Sequence, residues 1–385
     1  MKIIRSDLFL FLLAFLMDFC TGLISFAVPL KAIEMGATAL ELGLIGTASM
    51  LNFSIACTFT GKLADKYNRQ HLMAMASGMM VITFCLIFVA TNYWLLLIGA
   101  ALGWGLLALF WPSLQATLAE NRSRPQLVRT LSTFNIFWTI GFMLGPLTGG
   151  YLYLIAPSFL FGTAIVGMGI LAVIIFSFRY SAAIIPDRNQ IDPKVHTQFE
   201  IKKFRWIAWT ASFSAFFIMG TLNNQFPKLA DFLSIQPDLL GLLLAIPRFI
   251  QMIVMFLVRY SLWWQFRLKP LIIPQFAAII GMILLATQDS PFILGIAFGT
   301  VGLLVGSAFA ASQFYSFFQE KQKGEKGARN EMIIGIGQLS SPLAGGFVAE
   351  LIGLRMPYIL CTIIVIAGIL VEYRWYKKPG KVSTD

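Results

Sequence analysis

Long apolar segments are the feature of this sequence that most limits its fold. The chain has 385 residues, of which 58% are hydrophobic and 12% are charged, whereas ordinary soluble domains carry about 25% charged residues. Many segments exceed the roughly 18 apolar residues that suffice to cross a bilayer. Backbone groups in lipid must be hydrogen-bonded within the protein, and these segments are too long for barrel strands. We therefore predict an all-α polytopic membrane protein.

Twelve transmembrane helices are predicted, with most basic residues on one side of the membrane. The approximate limits are residues 7–30, 39–60, 72–91, 94–118, 131–154, 157–178, 204–227, 239–259, 270–288, 291–318, 331–353 and 357–376. Lys and Arg are concentrated in both terminal segments and in every second connection. Because cytoplasmic loops carry an excess of these residues, we predict a multi-pass protein of the cytoplasmic (inner) membrane with both termini in the cytoplasm.

The same distribution limits the partners that the charge implies. The net charge of +11 needs no nucleic-acid partner, because basic loops on one side of a bilayer explain it. All four cysteines lie within apolar segments, and the two histidines, His71 and His196, are far apart. The sequence contains no metal-ligand cluster, phosphate-binding loop or nucleophile–base arrangement. We predict no cofactor and no enzymatic activity.

A repeated motif indicates two related halves. The stretch 141–150 reads GFMLGPLTGG, and 337–346 reads GQLSSPLAGG, 196 positions downstream. The motif residues are Gly141, Gly145, Pro146, Gly149 and Gly150 in the first copy and Gly337, Pro342, Gly345 and Gly346 in the second. Glycines let membrane helices approach closely, and proline bends a helix. We interpret both copies as bent, closely packed helices in equivalent positions of two halves around a central site.

The repeat extends to other segments and defines the domain prediction. Leu42-Gly43-Leu44 and Leu240-Gly241-Leu242 begin the second and eighth predicted helices at an offset of 198 residues. The predicted domains are an N-terminal six-helix bundle (1–178), a cytoplasmic linker (179–203) and a C-terminal six-helix bundle with a short cytoplasmic tail (204–385).

Two motifs resemble those of the major facilitator superfamily. The segment 61–70, GKLADKYNRQ, resembles the family's signature loop between helices 2 and 3, with Asn68 where the family usually has glycine. Asparagine also tolerates left-handed geometry. The 141–150 motif resembles the fifth-helix motif of the family's drug:proton antiporters. The predicted fourth helix, 94–118, lacks the arginine that many antiporters carry there.

The resemblance implies two six-helix bundles that alternate access to a central site. It also implies that the loop residues Gly61, Asp65 and Arg69 form a conformational gate that latches the halves; the alternative is a solvated turn. We expect Asp65 to lie in a loop near a helix start, where the helix dipole favours a carboxylate.

Two charged residues lie near the middle of predicted helices. A charge at the bilayer centre costs about 2.5–3.5 kcal/mol on insertion scales unless it faces a cavity or a partner. Asp18 is a candidate for proton coupling or substrate binding, or else a neutral acid satisfied within the packing. Arg248 stays protonated and therefore needs water, a carboxylate or an anionic substrate. We also consider a pairing of Asp18 with Arg248 across the cavity.

Amide and aromatic residues within the predicted helices complete the candidate site. Gln115, Asn135, Asn223 and Asn224 are candidates to line a substrate path, and Asn223-Asn224-Gln225 is the densest polar cluster. Hydrogen bonds between helices are the alternative for each amide. Trp111 could offer an aromatic face to a substrate, or it could belong to the core.

Three functions follow from these observations. The favoured one is a monomeric secondary transporter that exports a small amphiphilic compound in exchange for protons, with Asp18 as the proton carrier. The alternative is uptake of a small anionic metabolite, coupled to protons or another ion, with Arg248 as its partner. The third is a membrane sensor or scaffold that transports nothing.

Overall fold

The computed structural model is mostly helical, and it describes residues 2–4, 7–119, 124–180, 197–260, 263–318 and 323–378. The elements of this part of the chain are β1 (Lys2–Ile4), α1 (Asp7–Glu34), α2 (Ala39–Lys66), α3 (Arg69–Val89), α4 (Tyr93–Ala119), α5 (Arg124–Ile155), α6 (Pro157–Ser177), β2 (Phe178–Tyr180), α7 (Gln198–Phe232), α8 (Pro237–Tyr260), α9 (Lys269–Thr287), α10 (Pro291–Phe317), α11 (Lys323–Leu351) and α12 (Met356–Lys377). The prediction of twelve helices is confirmed.

Ten of these helices are long and apolar enough to cross a membrane by length and composition. The other two, α5 and α7, contain 32 and 35 residues, and α7 contains the Asn223-Asn224-Gln225 cluster. The strands β1 and β2, which the sequence did not predict, form one parallel pair of three residues each.

Three helices begin well before their predicted starts. The first residues of α5, α7 and α11 precede the predicted limits by six to eight positions. For α7 the cause is a capping box, in which Thr197 Oγ1 accepts from the Glu200 amide at 3.2 Å and Glu200 Oε2 accepts from the Thr197 amide at 3.3 Å. Because such a cap satisfies amides that the helix itself leaves free, a helix can begin in polar sequence.

The chain divides into two compact units by its contacts. Unit 1 comprises residues 1–191 and 234–245, and unit 2 comprises residues 192–233 and 246–385. The first half of α8 therefore belongs to unit 1 and its second half to unit 2. The predicted division into 1–178, 179–203 and 204–385 stays a prediction.

Helix packing repeats between the two six-helix bundles. The helix α1 packs against α5 and α6, and α3 packs against α4 and α6. Six helices later, α7 packs against α11 and α12, and α9 packs against α10 and α12. The predicted pseudo-symmetric bundles are thus confirmed.

Close backbone contacts at the repeated glycines are the common feature of both bundles. A Cβ added to Gly145 of α5 would lie 2.7 Å from Gly22 Cα of α1. A Cβ at Gly141 would lie 3.1 Å from the Phe19 amide nitrogen, and one at Gly337 of α11 would lie 3.1 Å from that of Phe217 in α7. Phe217 follows Phe19 by 198 positions, which is the offset seen in the sequence. The motif therefore sets the α1–α5 and α7–α11 distances.

One expectation about the signature loop is wrong. Asp65 lies in the last turn of α2, which ends at Lys66, and not in a loop; the start of α3 at Arg69 follows four residues later. The end of a helix carries the negative pole of its dipole, so the dipole of α2 does not favour a carboxylate there. Asn68 has extended rather than left-handed geometry and caps α3, its Oδ1 accepting from the Gln70 and His71 amides at 2.9 and 3.3 Å.

The α1–α5 contact predicts the effect of a single methyl group. We expect Gly145→Ala to destabilise the protein by about 1–3 kcal/mol, because the added Cβ overlaps the Gly22 backbone, which cannot move aside as a side chain would. The measurement is apparent melting temperature in detergent. The control is Gly162→Ala on α6, where the added Cβ meets no atom within 4 Å. Equal melting temperatures for the two variants would contradict the packing argument.

Candidate functional site

Asp18 is buried at the contact between α1 and α5. Its side chain is 6% exposed, and its Cβ lies 3.2 Å from the position that a Cβ on Gly141 would take. The next turn of α1 is also polar, with Thr21 Oγ1 donating to the Met17 carbonyl at 2.8 Å. The candidate proton carrier and the first glycine of the repeated motif therefore share one helix contact.

Asn135 and Trp111 also lie in unit 1, near the beginning of α5 and on α4. Asn135 is 6% exposed, and its Oδ1 accepts from Trp138 Nε1 at 3.0 Å. Trp111 is half-buried and makes edge contacts with Phe110 and Phe134, with ring centroids 5.1 and 5.8 Å apart. Gln115, one turn after Trp111, is exposed.

Arg248 is buried in the second half of α8, in unit 2. It is 5% exposed, and its guanidinium donates to Gln251 Oε1 at 2.9 Å. Gln251 is itself fully buried. The preceding residue, Pro247, packs on α10, since a Cβ at Gly302 would lie 3.0 Å from Pro247 Cα. A fixed positive charge is thus held within a closely packed helix pair.

The amide cluster of α7 is largely engaged in helix packing. Asn224 Nδ2 donates to the Gly220 carbonyl of its own helix at 2.9 Å. Gln225 is 2% exposed and donates from Nε2 to the Pro342 carbonyl of α11 at 3.1 Å. Asn223 is half-buried. Gln225 therefore forms a hydrogen bond between helices, which was the structural alternative to a role in the substrate path.

The first motif copy makes a second close contact, with the beginning of α8. A Cβ at Gly241 would lie 3.2 Å from Gly150 Cα and would also overlap the Pro146 carbonyl oxygen. A Cβ at Gly150 would lie 2.8 Å from Asp238 Cα. A Cβ added to Gly149 would lie 3.2 Å from the Phe26 ring of α1. The ten-residue motif thus packs α5 against two helices within unit 1.

A family model described as the Major Facilitator Superfamily matches residues 10–317. The chain belongs to the major facilitator superfamily. Membership of this superfamily makes it a transporter rather than an enzyme.

Curated relatives within this superfamily match a limited part of the chain. The multidrug resistance protein MdtG of Salmonella paratyphi A is 35% identical over 129 residues, which are 32% of this chain and 32% of the relative. MdtG of Enterobacter lignolyticus (strain SCF1) is 32% identical over 156 residues, 38% of this chain and 37% of the relative. The matches span about a third of these relatives.

Solved structures of the superfamily share the fold over nearly the whole chain. A bacterial homolog of the human lysosomal transporter Spinster, in an inward-facing and occupied conformation, has a TM-score of 0.75 and 15% identity, with 96% of each chain covered. The nucleoside transporter NupG has a TM-score of 0.72 and 13% identity, with 97% of this chain and 99% of NupG covered. At such identities the likeness shows the fold alone.

The predicted site residues are divided between the two units. In this superfamily member Asp18, Asn135, Trp111 and Gln115 belong to unit 1, while Arg248, Asn223 and Asn224 belong to unit 2. The pairing of Asp18 with Arg248 stays a prediction. Among the described residues, no group of three His, Cys, Asp or Glu could hold a metal ion.

The sequence analysis missed one buried carboxyl group. Glu372 of α12 is 0% exposed and accepts hydrogen bonds from Gln275 of α9. The signal was available, because Glu372 is an acidic residue within a predicted apolar helix, and such residues are functional candidates by default.

The Gln225 contact leads to a stability prediction. We expect Gln225→Met to lower the free energy of unfolding by about 0.6–1.5 kcal/mol, because it removes the hydrogen bond from α7 to Pro342 of α11 at nearly constant volume. Melting temperature in detergent measures the effect. Gln115→Met on α4 is the matched control, because Gln115 is exposed. A loss at Gln115 as large as that at Gln225 would refute the role of the interhelical bond.

Proposed function

We propose that this major facilitator superfamily protein exports a small amphiphilic compound in exchange for protons, with Asp18 as the proton-binding group. The burial of Asp18 against Gly141 is the observation that supports this most directly. Export of an amphiphilic compound is supported by the matches to multidrug resistance proteins, which cover about a third of the length of those proteins.

The position of Asp18 links proton binding to helix packing. A charge inside the membrane costs about 2.5–3.5 kcal/mol on insertion scales, and binding a proton removes that charge. The α1 and α5 backbones meet at Gly22 and Gly145, one turn beyond Asp18 and Gly141. A change of charge at Asp18 therefore acts on a contact where the α1 and α5 backbones have little room to move. A site that couples proton binding to helix movement needs this property.

Other parts of the proposal rest on the sequence and on the gate residues. The basic loops support an inner-membrane protein with both termini in the cytoplasm, and we propose that it acts as a monomer. We also propose that Gly61, Asp65 and Arg69 form the conformational gate. The Arg69 guanidinium donates to the Ala116 carbonyl at the end of α4, at 3.3 Å, which anchors the start of α3 within unit 1.

The test of this proposal is export by everted vesicles that contain the protein. A fluorescent lipophilic cation serves as the substrate, and an imposed proton gradient drives the exchange. We expect Asp18→Asn to abolish gradient-driven accumulation, because asparagine binds no proton. Asp231→Asn, which changes an exposed carboxylate at the end of α7, should retain it. Full proton-driven export by Asp18→Asn would disprove the proposed role of Asp18.

Uptake of a small anionic metabolite is the second candidate, and the burial of Arg248 favours it. Arg248 is buried and donates to Gln251, and a guanidinium presents a planar fork of donors that matches a carboxylate or phosphate. In this case Arg248→Lys keeps the charge but loses the planar donor arrangement, so we expect weaker uptake of a labelled organic anion, and none with Arg248→Ala.

The control for Arg248 is Arg374→Ala, an exposed arginine of α12, which should take up the anion normally. Normal anion uptake by Arg248→Ala would remove the second candidate. If the purified protein moved neither cations nor anions along any imposed gradient, the third function, a sensor or scaffold, would replace both.

A further inference from the structure

A buried carboxyl group in unit 2 takes no part in the proposed transport mechanism. Glu372 lies on α12, one turn after Gly368, and is fully buried. Gln275 on α9 is equally buried, and its Nε2 lies 3.0 and 2.8 Å from the two carboxyl oxygens of Glu372. One neutral amide is thus the partner of this acid.

The charged groups on the helices that pack around Glu372 are engaged or exposed elsewhere. Lys203 of α7 lies over the Tyr376 ring at 4.6 Å, and Arg205 of α7 lies over the Trp209 ring at 5.6 Å. The remaining titratable groups with described side chains on these elements are Glu200, Lys202, Lys228 and Asp231 of α7, Lys269 of α9, Arg329, Glu331 and Glu350 of α11, and Tyr358, Cys361, Tyr373, Arg374, Tyr376 and Lys377 of α12. Among the described residues, none forms an ion pair with Glu372.

Two further buried oxygens lie beside the same part of α12. Gln275 Oε1 and Ser214 Oγ of α7 are both fully buried, and neither has a hydrogen-bond partner in the described part of the chain. A Cβ added to Gly368 would lie 2.7 Å from Ser214 Oγ and 3.9 Å from Gln275 Oε1. Both oxygens therefore border the space next to Gly368. Buried polar groups normally have partners, so this pair calls for an explanation.

We propose that Glu372 is a proton-binding site separate from Asp18, and that the Gln275 amide takes one of two orientations according to whether the proton is bound. When Glu372 is ionised, Nε2 of Gln275 donates to the carboxylate, as observed. When water delivers a proton to Glu372, the new O–H donates to Oε1 of an amide that has turned by half a rotation. The same turn breaks the bond from Nε2 to the Leu271 carbonyl, which measures 3.2 Å in this structure. It directs Nε2 towards the space next to Gly368, where a small shift of the Ser214 side chain brings its hydroxyl oxygen into range to accept.

The two orientations use each atom according to its chemistry. A carboxylate only accepts hydrogen bonds, whereas a carboxylic acid also donates one. An amide presents donors at one end and an acceptor at the other, so its rotation exchanges the two without moving the helix backbone. Because Ser214 belongs to α7, which packs against α9, α11 and α12, proton binding at Glu372 changes a hydrogen bond to the central helix of this bundle.

Infrared difference spectroscopy of the purified protein, without substrate, tests the proposal. The spectra follow the C=O band of protonated carboxyl groups between about pH 5 and about pH 10, a range that covers shifted carboxyl groups. We expect a titrating band that is present in wild type and missing in Glu372→Gln. It should persist in Glu350→Gln, an exposed acid of α11, and in Asp18→Asn. Because no transport is measured, failure of the export proposal leaves this result unaffected.

Ser214→Ala tests the amide rotation separately. Because this variant keeps the Glu372 carboxyl group, it also provides a test if Glu372→Gln does not fold. Loss of the Ser214 acceptor weakens the protonated arrangement, so the Glu372 band should titrate about half a unit to one unit lower in pH. Thr287→Val, an exposed position of α9, should leave the midpoint unchanged. Identical spectra for wild type and Glu372→Gln would overturn the proton site. An unchanged midpoint in Ser214→Ala would overturn the amide rotation.

Discussion

The close approach of helix backbones at glycine is the constraint on which the rest of this structure depends. Gly145 meets Gly22 between α1 and α5, and Gly337 meets the Phe213–Phe217 turn between α7 and α11. Little hydrophobic force drives helices together in lipid, so van der Waals contact between small residues is what joins them. These two pairs also connect to other helices of their bundles, since α1 contacts α3, α4 and α6, and α7 contacts α9, α10 and α12.

Buried polar groups are placed along these same contacts, and this relates packing to transport. Asp18 lies beside Gly141, and Gln225 reaches the carbonyl of Pro342. Pro342 leaves the Gln338 carbonyl, four residues earlier, without its usual backbone donor. Gln225 donates to a different carbonyl, that of Pro342 itself. The motif therefore provides both close contact and a local departure from regular helix geometry. A protein that must change conformation in the membrane needs both properties.

Much of the fold was predictable because its signal is local. Apolar length identified the helices, and the repeat at offsets of 196 and 198 identified the two bundles. The starts of α5, α7 and α11 were misjudged because caps and polar turns extend helices beyond the apolar region, as Thr197 and Glu200 do for α7. Asp65 was placed in a loop because its neighbours are charged, yet α2 continues through it to Lys66. Apolar composition marks only the apolar part of a helix and does not show where the helix continues into polar sequence.

The sequence by itself determined the membrane fold, the internal repeat and the family, because these depend on apolar length, spacing and motif residues that can be read along one chain. Only the tertiary structure decided which polar groups meet. Two such polar pairs are Gln225 with Pro342 and Glu372 with Gln275. The close backbone contact of Gly241 with Gly150 is a third pair on different helices, and the partners in each pair are about a hundred positions apart. Their contacts depend on how each helix is rotated about its axis, and a helix that is apolar on nearly all sides carries little sequence signal for that rotation.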